Sequence, residues 1–117
     1  MTPGPEGDAL HLDHIVELID LIGDSLARST EADFLADRTK GDATALRLGS
    51  IGEASRKLSE ELRSRHPEIE WRKMYALRNI VAHHYQSLNH LLPWKIAIGA
   101  LEPLAEACRT ELKRIDG

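Results

Sequence analysis

The 117 residues make one ordinary domain, long enough for a hydrophobic core but too short for a core plus a separate substrate domain. With 42% hydrophobic and 29% charged residues the balance is that of a soluble globular chain, and a net charge of −4 excludes a generic polyanion binder working by massed counterion release. One cysteine excludes an intrachain disulfide and a cysteine-based zinc site, and 4% aromatic residues argue against a platform of exposed stacking rings.

Residues 1–7 hold two prolines and two glycines with little to bury, and read as a flexible lead-in to a single helical domain over 8–117. The opening Met-Thr-Pro-Gly-Pro-Glu-Gly-Asp has neither a basic n-region nor an apolar h-region, and no apolar run approaches the roughly 20 residues of a bilayer span, so the cytoplasm is expected. Asp8 is a candidate N-cap. From Ala9 to Arg28 the residues Leu12, Ile15, Val16, Ile19, Ile22 and Leu26 recur at helical steps, predicting a first amphipathic helix. Ser29 to Asp33 breaks it, and Phe34-Leu35 begins a short turn anchored by the only phenylalanine.

From Ala43, or earlier near Asp37, to Ser64 a second helix is predicted, with Leu46, Leu48, Ile51, Ala54, Leu58 and Leu62 along one stripe. Gly49 and Gly52 fall inside it at a cost of about 1 kcal/mol each relative to alanine, which points to close approach of another helix. His66-Pro67 ends this helix, because the residue before proline disfavours the α region. Trp71, Met74, Leu77, Ile80 and Val81 place a short third helix over Glu70 to His83. Gln86 to Asn89 reads as a turn, and an apolar helix with Trp94 follows over Leu91 to Ala100. Pro103 is expected to kink or restart it near Glu102, with Leu104 to Ile115 closing the chain and Leu112 and Ile115 inward. No stretch alternates with period two, so the fold class is all-α, an up-and-down four-helix bundle whose last helix is broken near Pro103.

Chemistry concentrates in Leu77-Arg78-Asn79-Ile80-Val81-Ala82-His83-His84-Tyr85. Arginine is a permanent multi-donor cation suited to phosphate, and histidine exchanges protons near neutrality. RNA is cut at neutral pH when a base takes the 2′-hydroxyl proton, a cation supports the phosphorane, and an acid protonates the departing 5′-oxygen. His83 fits the proton-transfer role and Arg78 the phosphate role. Asn79 can hold His83 or a phosphate oxygen, and Tyr85 can donate its hydroxyl. The bland alternative has Arg78 bonding helix carboxylates, His83 and His84 capping the helix C-terminus, and Tyr85 packing over a loop. On an ideal helix positions five apart differ by about 140°, so one straight helix does not converge these groups. Either the helix ends near His83 or a second subunit completes the site.

The order Arg78, four residues, His83, one residue, Tyr85 resembles the R-x4-H-x-Y motif of the HepT-like toxins, small helical ribonucleases of the HEPN superfamily. Phe34-Leu35-Ala36-Asp37, Ile51-Gly52-Glu53-Ala54, Pro67-Glu68-Ile69-Glu70-Trp71-Arg72, Trp94 and Leu101-Glu102-Pro103-Leu104 are similar to further elements of that family. The resemblance implies a metal-independent endoribonuclease without cofactor, with Arg78 and His83 catalytic and paired motifs at a homodimer interface. It also implies the toxin role in a type VII toxin–antitoxin pair, whose partner is a minimal nucleotidyltransferase antitoxin of the MntA type that transfers AMP to the motif tyrosine, here Tyr85. His84 competes with His83 because the superfamily tolerates longer Arg-to-His spacing, while only His83 keeps the His-x-Tyr step. The alternative function is a non-catalytic helical dimer, a nucleotide-binding or accessory subunit of a nucleotidyltransferase.

Elsewhere the signals are weaker. Glu53 is either a buried carboxylate supporting Arg78 or the interface, or an ordinary surface glutamate. His11 and His14, with Glu17 or Asp20 nearby, form an H-x-x-H pair that without further ligands is usually a solvated helix face. Trp71 and Trp94 read as core or interface fillers, and Cys108 as a small buried hydrophobe.

Overall fold

The computed structural model of the protein describes residues 5–84 and 90–117, and these residues are all helix and connection, with no strand among them. The helices are α1 (Pro5–Leu26), α2 (Glu31–Ala36), α3 (Arg38–Arg56), α4 (Glu60–Ser64), α5 (Trp71–His84), α6 (Leu91–Gly99) and α7 (Leu101–Asp116). The four long ones correspond to the expected bundle. Helix α3 lies at its centre, packed against α1 on one side and α5 on the other, while α7 closes over α1. Leu12, Ile15 and Ile22 of α1 meet Leu48 and Ile51 of α3 and Leu104 and Cys108 of α7 in one core. No helix among the described residues is long and apolar enough to cross a membrane.

Several element ends differ from the sequence expectation, each for a local physical reason. Helix α1 begins at Pro5, a residue suited to a first turn because its missing N–H has no partner to lose there. Asp8 therefore lies inside α1, buried, and caps a different helix: its carboxylate accepts from the Ser59 backbone N–H at 2.8 Å and from the Ser59 hydroxyl at 2.5 Å. Ser59 in turn accepts from the Leu62 N–H. That relay breaks the expected Ala43–Ser64 helix into α3 and α4, with Lys57 to Ser59 between them. Of the two starts expected for the second helix, the earlier one is found: α3 begins after Asp37, whose carboxylate accepts from the Lys40 N–H.

At the end of the chain, the break falls at Ala100 and Pro103 sits in the first turn of α7, where proline costs no hydrogen bond. Two residues expected inward are not: Leu46 is 71% and Ile115 39% exposed, whereas Leu112 is half-buried. The short α2 is held by a capping box between Thr30 and Asp33, and its Phe34 is fully buried with Trp94 tilted against it at 5.2 Å. The expected turn over 86–89 lies outside the described residues.

A buried charge network ties α7 to the connection between α4 and α5. Glu111, 2% exposed, accepts from Arg65 Nη2 at 2.6 Å and is 2.7 Å from His66 Nε2, whose Nδ1 meets Glu68. The Arg65 hydrogen bond outweighs burial and holds the Glu111 carboxyl below its ordinary range, with His66 adding to it. The unfolded chain thus binds this proton more readily than the folded one, so the stability is present above the ordinary carboxyl pKa of about 4.3 and is lost as pH falls through the lower folded value. Glu111→Gln should cost about 2 kcal/mol near neutrality and flatten the acid limb of stability, measured by urea unfolding between pH 7 and 3. An unchanged acid limb would show that the network stabilises nothing.

Candidate active site

The face that carries Arg78 is built where α3 and α5 touch. Leu46 lines a surface groove with Ala82, Gly49 lies against Arg78, and Gly52 against Met74, so the two helices run antiparallel. Gly52 makes this approach possible: a Cβ there would stand 2.6 Å from the Met74 carbonyl oxygen and 3.4 Å from the Arg78 nitrogen. The other side of α5 is anchored by its first turns. The Trp71 indole N–H is shared between the Arg63 and His66 carbonyls at 3.2 and 3.1 Å, satisfying groups left over where α4 ends. Arg63 donates to the Tyr75 hydroxyl at 2.6 Å with its guanidinium 5.6 Å from that ring's centre. Met74 and Leu77 enter the core, which leaves Arg78, Asn79 and Ala82 outward.

Arg78 is 67% exposed, and its Nη1 donates to Glu53 Oε2 at 3.1 Å across the seam. The other oxygen of Glu53 accepts from Arg56 Nη2 at 3.0 Å. Glu53 is thus neither deeply buried nor a free surface group; it is 28% exposed and oriented by two guanidiniums. The Arg56 hydrogen bond, followed by the charges of Arg56, Arg78 and Lys57, holds its carboxyl below the ordinary range, so it is ionised at neutral pH. Arg56 was not singled out by the motif; the i,i+3 step from Glu53 to Arg56 is the sign of it in the sequence.

Helix α5 ends at His84, so both His83 and His84 lie in its last turn; their side chains, and Tyr85 altogether, lie outside the described residues. The structure therefore joins Arg78 to Glu53 and leaves Asn79 exposed on the same helix. His11, His14, Asp13 and Glu17 line a neighbouring groove between α1 and α3 together with Glu53 and Lys57. Asp20 is elsewhere, paired with Arg109 at 3.3 Å. Among the described residues no three His, Cys, Asp or Glu side chains are placed to share a metal ion. Burial pushes the Cys108 thiol up to about 12, which leaves almost no thiolate for nucleophilic chemistry.

Besides His66, a second buried imidazole carries no signal in the sequence. His90, 5% exposed, packs on α3 where Gly41 has no side chain, with its Nε2 3.0 Å from Asp42 Oδ1 and its ring steeply inclined to that of Phe34. It fastens the start of α6 to the N-terminal turn of α3, and only the absence of a Cβ at Gly41 makes room for it.

A family model described as Ribonuclease HepT-like matches residues 15–111. "Putative RNase MJ0127" of Methanocaldococcus jannaschii is 29% identical over 106 residues, 91% of this chain and 84% of that protein. "Probable ribonuclease HepT" of Thermococcus cleftensis is 34% identical over 85 residues, 73% of this chain and 77% of that protein. "Gamma-glutamylcyclotransferase and putative RNase MJ0434" of Methanocaldococcus jannaschii is 29% identical over 107 residues; these are 92% of this chain, which spans 48% of that relative's length. No solved structure matches the chain.

Proposed function

The chain belongs to the HepT-like ribonuclease family, and from that premise we propose that it is a metal-independent endoribonuclease, the toxin of a type VII toxin–antitoxin pair acting in the cytoplasm. Arg78 holds the scissile phosphate, and His83 takes the 2′-hydroxyl proton and supplies one to the departing 5′-oxygen. The 2′-oxygen forms its bond to phosphorus as the bond to the 5′-oxygen breaks, leaving a 2′,3′-cyclic phosphate and a free 5′-hydroxyl. The observation that carries this reading is an exposed Arg78 held by Glu53 on the helix that ends in the two motif histidines. Glu53 leaves most of the guanidinium's five donors for another anion.

A second copy of the chain completes the site across a twofold axis. The exposed Leu46 beside Gly49 and Ala82, next to Arg78, supports packing of another molecule there. Incubation of the purified protein with RNA in EDTA, beside the His83→Ala protein, tests the reading. Cleavage by the wild type alone supports it; no cleavage returns the chain to the runner-up, a non-catalytic dimer that serves a nucleotidyltransferase.

The partner in this reading is a minimal nucleotidyltransferase antitoxin of the MntA type, which silences the toxin by transferring AMP to Tyr85. The added phosphate puts negative charge where substrate phosphate must sit. Tyr85→Phe removes one hydroxyl, worth about 1 kcal/mol if hydrogen-bonded, and keeps the ring. The variant should retain much of its ribonuclease activity and stay toxic when co-expressed with the antitoxin. Intact-mass spectra of the co-expressed wild type should show AMP-sized additions that are absent from the variant. A variant neutralised as readily as wild type would leave occlusion as the antitoxin's mechanism.

A further inference from the structure

The carboxylate of Glu53 organises more positive charge than the motif uses. It bonds Arg78 through one oxygen and Arg56 through the other, and Lys57, the exposed residue just after α3, lines the adjoining groove with Glu53 and adds a third cation nearby. Two guanidiniums bond one carboxylate and an ammonium stands near it, in a chain whose net charge is −4 and whose first Lys or Arg is Arg28. Exposed pairs of this kind contribute at most about 1 kcal/mol to stability, and Arg56 and Arg78 are 62% and 67% exposed. Stability is therefore a poor reason for the arrangement. The negative end of α3 and the i,i+3 step account for Arg56 meeting Glu53, but not for the same carboxylate also taking Arg78 from another helix. What the sharing achieves is spacing: two guanidiniums are fixed side by side, each spending one nitrogen on Glu53 and keeping the rest of its donors.

The direction of the pair follows from the antiparallel seam. Ala82, adjoining the histidines, lies level with Leu46, and Arg78 with Gly49, so Arg56 lies beyond Arg78 on the side away from His83. Lys57 and Glu53 line the α3 wall of the neighbouring groove, and Asp13 and Glu17, with His11 and His14, its α1 wall, where the carboxylates repel a phosphate strand and keep it on the α3 side. The open course for a polyanion runs from the end of α5 over Arg78 to Arg56 and Lys57.

We propose that Arg56 and Lys57 form a second phosphate subsite, which binds the RNA phosphate next to the scissile one on the side away from His83. The inference rests on the ribonuclease reading and deepens it: two successive phosphates are held, Arg78 taking the one that is cut. It accounts for RNA binding by an acidic protein, because the attraction is confined to one short track. Arg56 and Lys57 are binding residues and take no part in proton transfer.

The test compares the wild type with the Arg56→Ala/Lys57→Ala protein. On a short single-stranded RNA the double variant should show a KM raised about tenfold with kcat unchanged, and Arg56→Lys alone should keep most of the affinity. In the His83→Ala background, binding of the same RNA should lose about 0.7 to 1.4 from its log–log salt slope when both cations are removed, the amount for one to two phosphate contacts on a single strand. An unchanged KM and salt slope in the double variant, with a cleaving wild type, would overturn the subsite and leave the ribonuclease reading intact. A fall in kcat alone would also overturn it, by placing these residues in the chemistry or the fold. A wild type that neither binds nor cuts RNA would overturn the ribonuclease reading and the subsite with it.

Discussion

RNA cleavage by the His83→Ala protein is expected to fall by about 10²–10⁴-fold relative to wild type, the range that a positioned acid–base group contributes. The assay runs in EDTA, and the products are analysed for a 2′,3′-cyclic phosphate. Arg78→Ala should cost about 10²–10³-fold, because it removes the preorganised cation that supports the phosphorane. It also leaves Glu53, an ionised carboxylate, without one of its two guanidiniums at the place a phosphate must occupy. Pairing Arg78→Ala with Glu53→Gln should therefore recover part of the binding loss. His84→Ala should lose less than His83→Ala; equal or reversed losses would move the proton-transfer role to His84. Cleavage that depends strictly on an added divalent metal would contradict the mechanism.

Two glycines three residues apart on α3 should respond to the same substitution with opposite signs. Gly52→Ala places a methyl 2.6 Å from the Met74 carbonyl oxygen and 3.2 Å from Leu77 Cβ, and a backbone atom cannot swing aside as a side-chain tip can. Helix α5 must move away from α3, and because the clash is with backbone the cost falls in the upper part of the range of about 1–3 kcal/mol for overpacking, above the gain of about 1 kcal/mol from alanine's helix propensity. Gly49→Ala meets only the Arg78 Cα at 4.0 Å, an ordinary contact, so it keeps the propensity gain. At about 4 °C for each kcal/mol, thermal unfolding separates the two directions clearly. The same shift of α5 should loosen the Arg78–Glu53 pair, so Gly52→Ala is also expected to lose cleavage at temperatures where it remains folded. A Gly52→Ala protein more stable than wild type would show that the helices are not in the contact described.

What the sequence determined by itself is what depends on neighbours a few residues away. The three- and four-residue spacing of Leu12, Ile15, Ile19 and Ile22 defines α1, that of Met74 and Leu77 defines α5, and each of these side chains is in the core. Arg78, Asn79, His83 and His84 lie on one helix because the apolar periodicity that defines α5 runs through them, and Gly49 and Gly52 announce a close helix contact because a missing side chain has no local benefit. The family, too, was legible from the ordered motifs along the chain.

Tertiary structure alone decided the features whose partners lie far away in sequence. The break between α3 and α4 depends on Asp8, 51 residues from Ser59. Glu111 reads as one more polar residue of an amphipathic helix until Arg65 and His66, 46 and 45 residues away, are brought to it. Leu46 matches the apolar stripe of α3 but lies where no other described helix covers it, since periodicity tells which residues share a face and not how far the neighbour extends. Arg78 and Glu53 are 25 residues apart, and their meeting is set by the glycine-lined crossing of two helices. A hydrophobic pattern encodes burial, which is non-directional; the choice of one carboxylate for one guanidinium is directional, and it exists only once the backbone has brought them within hydrogen-bond distance.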